Sequence, residues 1–269
     1  MKIVRFLDSL GVVRYGSLTD KKQIRVIKGD IFGQFEVTDK TVELTGQVRI
    51  LAPVDPPLVI AAGLNYKSHA DEGGLPYPDK PILFIKASGS VVGPDDSIVL
   101  PHMAPHEVDY EAELAVIVSK QAKNIPADRA REFILGYTCG NDLSARDCQM
   151  RIDRQWARAK SFDTFCPLGP CITTDVDPTN LDIRLTLNGK TMQHSNTGDL
   201  ICPVDELFSF ISYNMTLKPG TVIMTGTPSG VGCMRKPPVY LKPGDVVEVT
   251  IEGIGTLRNE VVLELPPEA

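Results

Sequence analysis

Apolar and polar residues along this 269-residue chain alternate mostly with the short period of strands. Residues 1–53 hold the runs MKIVRFL, GVVRYGSL, QIRVIKG and TVELTGQVRIL. Their β-branched content and near-alternation predict a small antiparallel N-terminal β subdomain. Pro53, Pro56 and Pro57 then break the pattern, which places the boundary there and leaves residues 54–269 as the larger domain. VIAAGLNY reads as a short buried strand. A polar helical stretch starts at Ser68 and gives way to Gly73-Gly74 and three prolines, so residues 68–81 read as a mobile loop. PILFIKAS, DSIVLP and the long run 106–118 resume the strand pattern. PADRAREFILGY and VDELFSFISYNMTL carry helical spacing, the second with Leu207, Phe208, Ile211 and Met215 on one face. Asn188-Gly189 marks a two-residue hairpin turn, because both central positions need positive φ. TVIMTG, VVEVTIEG and TLRNEVVLEL close the chain as strands. Strands outnumber helices, with no repeated βα alternation and no internal period. The prediction is a β-rich α+β fold, not a Rossmann or TIM-barrel architecture.

Composition adds exclusions. The 28 Lys and Arg against 34 Asp and Glu give a net charge of −6, with no basic run and no basic–aromatic patch, which argues against nucleic acid as a partner. The first residues, MKIVRFLDSLG, hold only a short apolar stretch broken by Arg5 and closed by Asp8. A secretory core needs roughly 7–15 apolar residues and a membrane span about 20, so no membrane association is expected. The six cysteines form no CxxC pair and no His–Cys metal spacing, as expected of free thiols in a reducing cytosol. A cytoplasmic location is the expectation, compatible with organelle import if a presequence has been removed.

Candidate chemistry concentrates in the run 106–118. Strand alternation puts Glu107, Asp109, Glu111, Glu113, Ala115 and Ile117 on one side, a face that turns apolar toward its C-terminal end. Glu111 and Glu113 stand at the transition. Two ionised carboxylates about 7 Å apart at a half-buried site repel unless a cation joins them. On this run alone, a solvated edge-strand face explains the acids equally well. Asp142 follows the strand-like LGYTCG, where it could complete a three-carboxylate site or merely cap a turn. His69 and Glu72 are one helical turn apart, the spacing of a base oriented by a carboxylate and also of a surface ion pair. Lys86 and Lys160 lie among apolar residues in FIKAS and RAKSFDTF, and composition singles out neither. The glycine-rich run 226–232 lacks the lysine of a phosphate-binding loop, and presentation of its N–H groups and Thr227 to a carboxylate is better motivated.

The order of the motifs adds what each lacks. GLNYxxHAxE, PxxFxK, EVDYExEL, GYTxxNDxSARD, KxFDTFxPLGP, TGTPSGVG and LKPGD, from about residue 59 to 262, together resemble the fumarylacetoacetate hydrolase family. The resemblance implies a mixed β-sandwich-like roll and a homodimer. It implies Glu111, Glu113 and Asp142 as ligands of Mg²⁺ or Mn²⁺, with Ca²⁺ also suited to oxygen donors. His69 and Glu72 match the catalytic dyad, on a segment that folds as a lid, and Lys160 matches the lysine beside the metal. Gln149 and Thr227 match substrate-holding positions, and Lys86 is placed with them. Asn65 stands where larger members carry a fourth, aspartate ligand. The function implied first is metal-dependent hydrolysis of a C–C bond in an acylpyruvate-type 2,4-diketo acid, through a metal-bound enolate. Decarboxylation or keto–enol tautomerisation of oxaloacetate at the same site is the alternative, and MRKPPVYLKPGDVVEV resembles the tautomerase branch. A catalytically silent ligand-binding protein would need a broken dyad or ligand set, and both are intact.

Overall fold

The computed structural model describes residues 1–21, 23–104 and 106–265. Its central strand is Ala112–Val118, buried along its whole length. Ile134–Asn141 pairs with it antiparallel on one side and Val222–Met224 on the other. Beyond Val222–Met224 come Val59–Gly63, in parallel, and the edge strand Ile82–Lys86. Beyond Ile134–Asn141 come Cys166–Thr173 and then the N-terminal strands Lys2–Leu7, Val13–Leu18, Gln23–Gly29 and Phe35–Glu43. The N-terminal strands therefore extend the main sheet, through the register Lys2↔Thr173 and Ile3↔Ile172. A second sheet runs Lys190–Asn196, Asp182–Leu187, Val246–Ile251, Gly255–Leu263 and Ile98–Leu100. Parallel and antiparallel pairs coexist in both sheets, as in the mixed β-rich fold expected.

The central strand divides the core. Leu114, Val116 and Val118 join a large apolar cluster that takes in the second sheet, through residues such as Leu185 and Val249. Ala115 and Ile117 face a smaller cluster with Ile3, Val59 and Met224. With both faces covered, this strand is not a solvated edge, and acids at its start are inside the protein.

Two sequence expectations fail locally. The run 106–118 is not one strand: Val108–Asp109 pairs with Ser144–Ala145, and regular pairing resumes at Ala112. PADRAREFILGY is not one helix: Ala127–Phe133 is a 3₁₀ segment and Ile134 already begins a strand. Gly136 suits the strand, since a Cβ there would lie 2.5 Å from the Thr173 carbonyl oxygen of the neighbouring strand. Tertiary pairing outweighs the local helical spacing. Elsewhere the pattern holds. Val204–Asn214 is helical with Leu207, Phe208 and Ile211 buried. Asn188 and Gly189 turn the hairpin at φ 53 and 78.

Because Leu114 is fully buried beside the site, truncating it opens a cavity in the packing around the strand. Leu114→Ala should lower unfolding free energy by about 2–5 kcal/mol in urea titration. A loss under about 1 kcal/mol would show that this region can collapse around the cavity.

Candidate active site

Glu111 is 6% exposed and Glu113 1%. The register Ala112↔Asn141 sets Asp142 beside them, and the Asp142 N–H donates to the Glu111 carbonyl oxygen over 2.9 Å. One oxygen from each of Glu111, Glu113 and Asp142 lies within 4.8 Å of the other two. The three acids thus meet as expected.

Buried cations answer part of their charge. The Lys160 ammonium lies 2.7 Å from Glu111 Oε2 and 2.7 Å from Asp142 Oδ2. Arg146 donates to Glu111 Oε1 over 2.5 Å and to Gln149 Oε1 over 2.8 Å. Glu113 accepts the Gly226 N–H at 2.7 Å, and among the described residues no cation bonds to it. Burial works to raise both glutamates, with opposite outcomes. At Glu111 the Lys160 and Arg146 charges outweigh burial and hold the carboxyl down at about 2. At Glu113 burial is reinforced by Asp142 and Glu111, which push the carboxyl well above its ordinary value. An all-oxygen donor set and one carboxylate lacking a cationic partner fit a hard divalent cation.

His69 and Glu72 sit on the helix Lys67–Gly73, with Nδ1 and Oε2 3.3 Å apart. The Glu72 carboxylate also accepts the Gly230 N–H, at 3.0 and 3.1 Å to its two oxygens. The glycine-rich loop does present N–H groups to carboxylates, and these are the protein's own: Gly226 bonds Glu113, Gly230 bonds Glu72, and Gly232 and Cys233 bond Asp109. Gly232 has no alternative, since a Cβ would stand 1.9 Å from the Val239 carbonyl oxygen.

A cavity of about 360 Å³ opens onto the acids, lined also by His69, Lys160, Gln149, Thr227 and Arg146. Its outer wall is apolar, built from Leu75, Ile82, Phe84, Met150, Trp156 and Met234. Lys86, expected with the substrate-holding residues, is not brought to this wall. It is 1% exposed, and its ammonium lies 2.5 Å from both Asp142 Oδ1 and the Lys160 carbonyl oxygen. Asn65 is likewise spent on structure: its amide bonds Cys202 in both directions and the Thr225 carbonyl. Sequence reasoning missed Arg146, visible only as part of SARD. It also missed Asp109, fully buried and bonded to Arg146 Nε at 3.0 Å.

Residues 58–262 match the family model described as fumarylacetoacetate (FAA) hydrolase C-terminal. The chain belongs to the fumarylacetoacetate hydrolase family. A separate N-terminal family model matches residues 1–53. Among its relatives in this family, a mitochondrial oxaloacetate tautomerase of Rattus norvegicus is 47% identical, over 80% of this chain and 70% of that protein. The solved structure of a 5-carboxymethyl-2-hydroxymuconate delta-isomerase from Mycobacterium smegmatis is 42% identical. It superposes with a TM-score of 0.89 over 98% of this chain and 100% of that one. A 2-hydroxyhepta-2,4-diene-1,7-dioate isomerase from Mycobacterium marinum is 40% identical, with a TM-score of 0.88 over 99% and 100%. Among the described residues of this family member, no helix is long and apolar enough to cross a membrane.

The raised Glu113 carboxyl yields a signed prediction. In the metal-free protein the folded state binds the extra proton, so its contribution to stability is present below the ordinary carboxyl pKa and lost as pH rises through the raised value. A cation must displace that proton, so its affinity should climb with pH across the same window. Calorimetric titration of Mg²⁺ or Mn²⁺ in buffers of differing ionisation enthalpy should detect proton release. Binding with no release in any buffer would contradict the shift.

Proposed function

We propose that the protein is a divalent-cation-dependent keto–enol isomerase of a small 2-keto acid, with oxaloacetate as the substrate to test first. The observation that carries the reading is the meeting of His69, paired with Glu72, and the Glu111–Glu113–Asp142 triad on one cavity. The named relatives favour proton transfer over the C–C hydrolysis that the sequence put first, since their printed activities are tautomerisation and isomerisation.

Glu111, Glu113 and Asp142 would hold Mg²⁺ or Mn²⁺, which when bound supplies Lewis-acid stabilisation of negative charge on a 2-keto oxygen. The chain's own groups do the rest. Glu72 beside Nδ1 fixes the tautomer with a proton on that nitrogen, and leaves Nε2 as the basic nitrogen of His69. From there His69 takes a proton from C3 of the keto form and returns one to the C2 oxygen, or the reverse, so the isomerisation balances without a water being consumed. Lys160 places a positive charge beside the triad, where developing oxyanion charge is stabilised. Arg146, fixed by Glu111 and Asp109, presents Gln149 to the cavity as a polar contact for the substrate carboxylate. Hydrolysis would need, in addition, a water held for attack on a distal carbonyl.

The test follows enol-oxaloacetate by its ultraviolet absorbance. Chelator should reduce its decay to the spontaneous rate and Mg²⁺ or Mn²⁺ should restore catalysis. Glu111→Gln should abolish turnover, and His69→Ala should lower kcat by about 10²- to 10⁴-fold. Uncatalysed decay in the metal-loaded protein, together with cleavage of an acylpyruvate, would replace this reading with the hydrolase.

A further inference from the structure

We propose that Asp109 is the positioning residue that registers the His69–Glu72 pair against the carboxylate triad, because one buried carboxylate holds both the 226–233 loop and Arg146. The assignment rests on the proton-moving role given above to that pair.

Asp109 is fully buried and accepts bonds on both oxygens. Oδ1 takes the N–H groups of Tyr110 at 2.8 Å and Gly232 at 2.7 Å. Oδ2 takes the Cys233 N–H at 2.9 Å and Arg146 Nε at 3.0 Å. Two chains of contact leave it. One runs through Arg146 to Glu111 in the triad and to Gln149 on the cavity wall. The other runs back along the loop from Gly232 to Gly230, whose N–H holds Glu72, whose carboxylate meets His69. Glu72 and His69 ride on a helix of only seven residues, Lys67–Gly73, too short to hold its own position in water. Buried Ala70 and the Ser68 N–H bond to Asp199 anchor its first turns, while the Glu72 carboxylate is held by the loop, and Asp109 fixes the end of the loop that reaches it. The Gly232 contact is close enough that a Cβ there would stand 2.5 Å from Asp109 Oδ1. An asparagine at 109 fills the same volume, yet its NH₂ group faces N–H donors where an acceptor is required.

The experiment compares Asp109→Asn with Glu72→Gln in the full chain, using Mn²⁺ as the probe ion. Asp109→Asn should lower kcat for oxaloacetate isomerisation by about 10- to 100-fold, the scale of a misplaced catalytic group, with Mn²⁺ affinity within about threefold of wild type. Hydrogen exchange should speed up in both 226–235 and 67–73. Glu72→Gln should speed exchange in 67–73 while leaving Gly232 and Cys233 protected. Loss of Mn²⁺ affinity in step with kcat would overturn the proposal, since Asp109 would then serve the triad alone. Unchanged loop exchange in Asp109→Asn would overturn it as well. Should that variant fail to fold, exchange in the wild-type protein decides: unprotected Gly232 and Cys233 amides would end the assignment. The exchange readouts stand whether or not oxaloacetate is turned over, so a failed substrate is distinguishable from a failed Asp109 role.

Discussion

All buried charged side chains among the described residues belong to one network. Four are acids, Asp109, Glu111, Glu113 and Asp142, and three are cations, Lys86, Lys160 and Arg146. Removing one partner from such a buried set typically costs about 3–5 kcal/mol, because its counter-charge is left stranded. The three cations reach the acids from different elements. Lys86 ends the edge strand Ile82–Lys86, Arg146 follows Ser144–Ala145, and Lys160 caps the short helix Trp156–Ala159. The sheet order that brings these elements around the start of Ala112–Val118 is therefore also what makes the acids tolerable there. With all four acids ionised the set would carry one negative charge more than its cations, and Glu113 is the acid without a cationic hydrogen-bond partner among the described residues. That imbalance supports the divalent-cation site proposed above.

The acids were legible in sequence to different degrees. Glu111 and Glu113 share a face because strand side chains alternate, so their approach follows from spacing alone, even though Glu111 proves to lie just before the regular strand. Asp142 comes to them through a register, Ala112↔Asn141, that nothing local in the chain specifies; only the order of the motifs pointed to it. Lys86 was misplaced for a related reason. Strand alternation says that its side chain leaves one face of the sheet, but whether that face is cavity wall or interior depends on what packs there. Here the ammonium is sealed behind Asp142 and the Lys160 carbonyl. Asn65, matched by motif order to a fourth-ligand position, is used structurally here through its hydrogen bonds to Cys202 and Thr225.

For the glycine-rich loop, composition pointed to the right chemistry and left the partners open. Small residues and free N–H groups do mark a loop that binds carboxylates. The carboxylates it binds within the protein are Glu113, Glu72 and Asp109, all long-range partners in sequence. Gly230, at φ 99 and with a Cβ site 2.3 Å from the Met192 carbonyl oxygen, is required by that close seating. The loop thus spends its donors on fixing the site and leaves Thr227 to face the cavity, its hydroxyl held by Gln193 at 2.8 Å.

This division bears on how one fold supports several reactions. The triad and its cations are held by the sheet, among side chains with almost no solvent contact. The His69–Glu72 pair is held from outside its own helix, through a loop that also touches the triad. A change in the outer apolar wall, at Leu75, Met150 or Met234, alters what reaches His69 without disturbing any buried charge. On the proposed reading the cation site would stabilise the same oxyanion in each case. The placement of the pair and the shape of that wall would then decide whether a proton, a carboxyl group or a water-derived oxygen moves. A shared fold therefore does not by itself fix the reaction, which on this reading belongs to the pair and the wall around it.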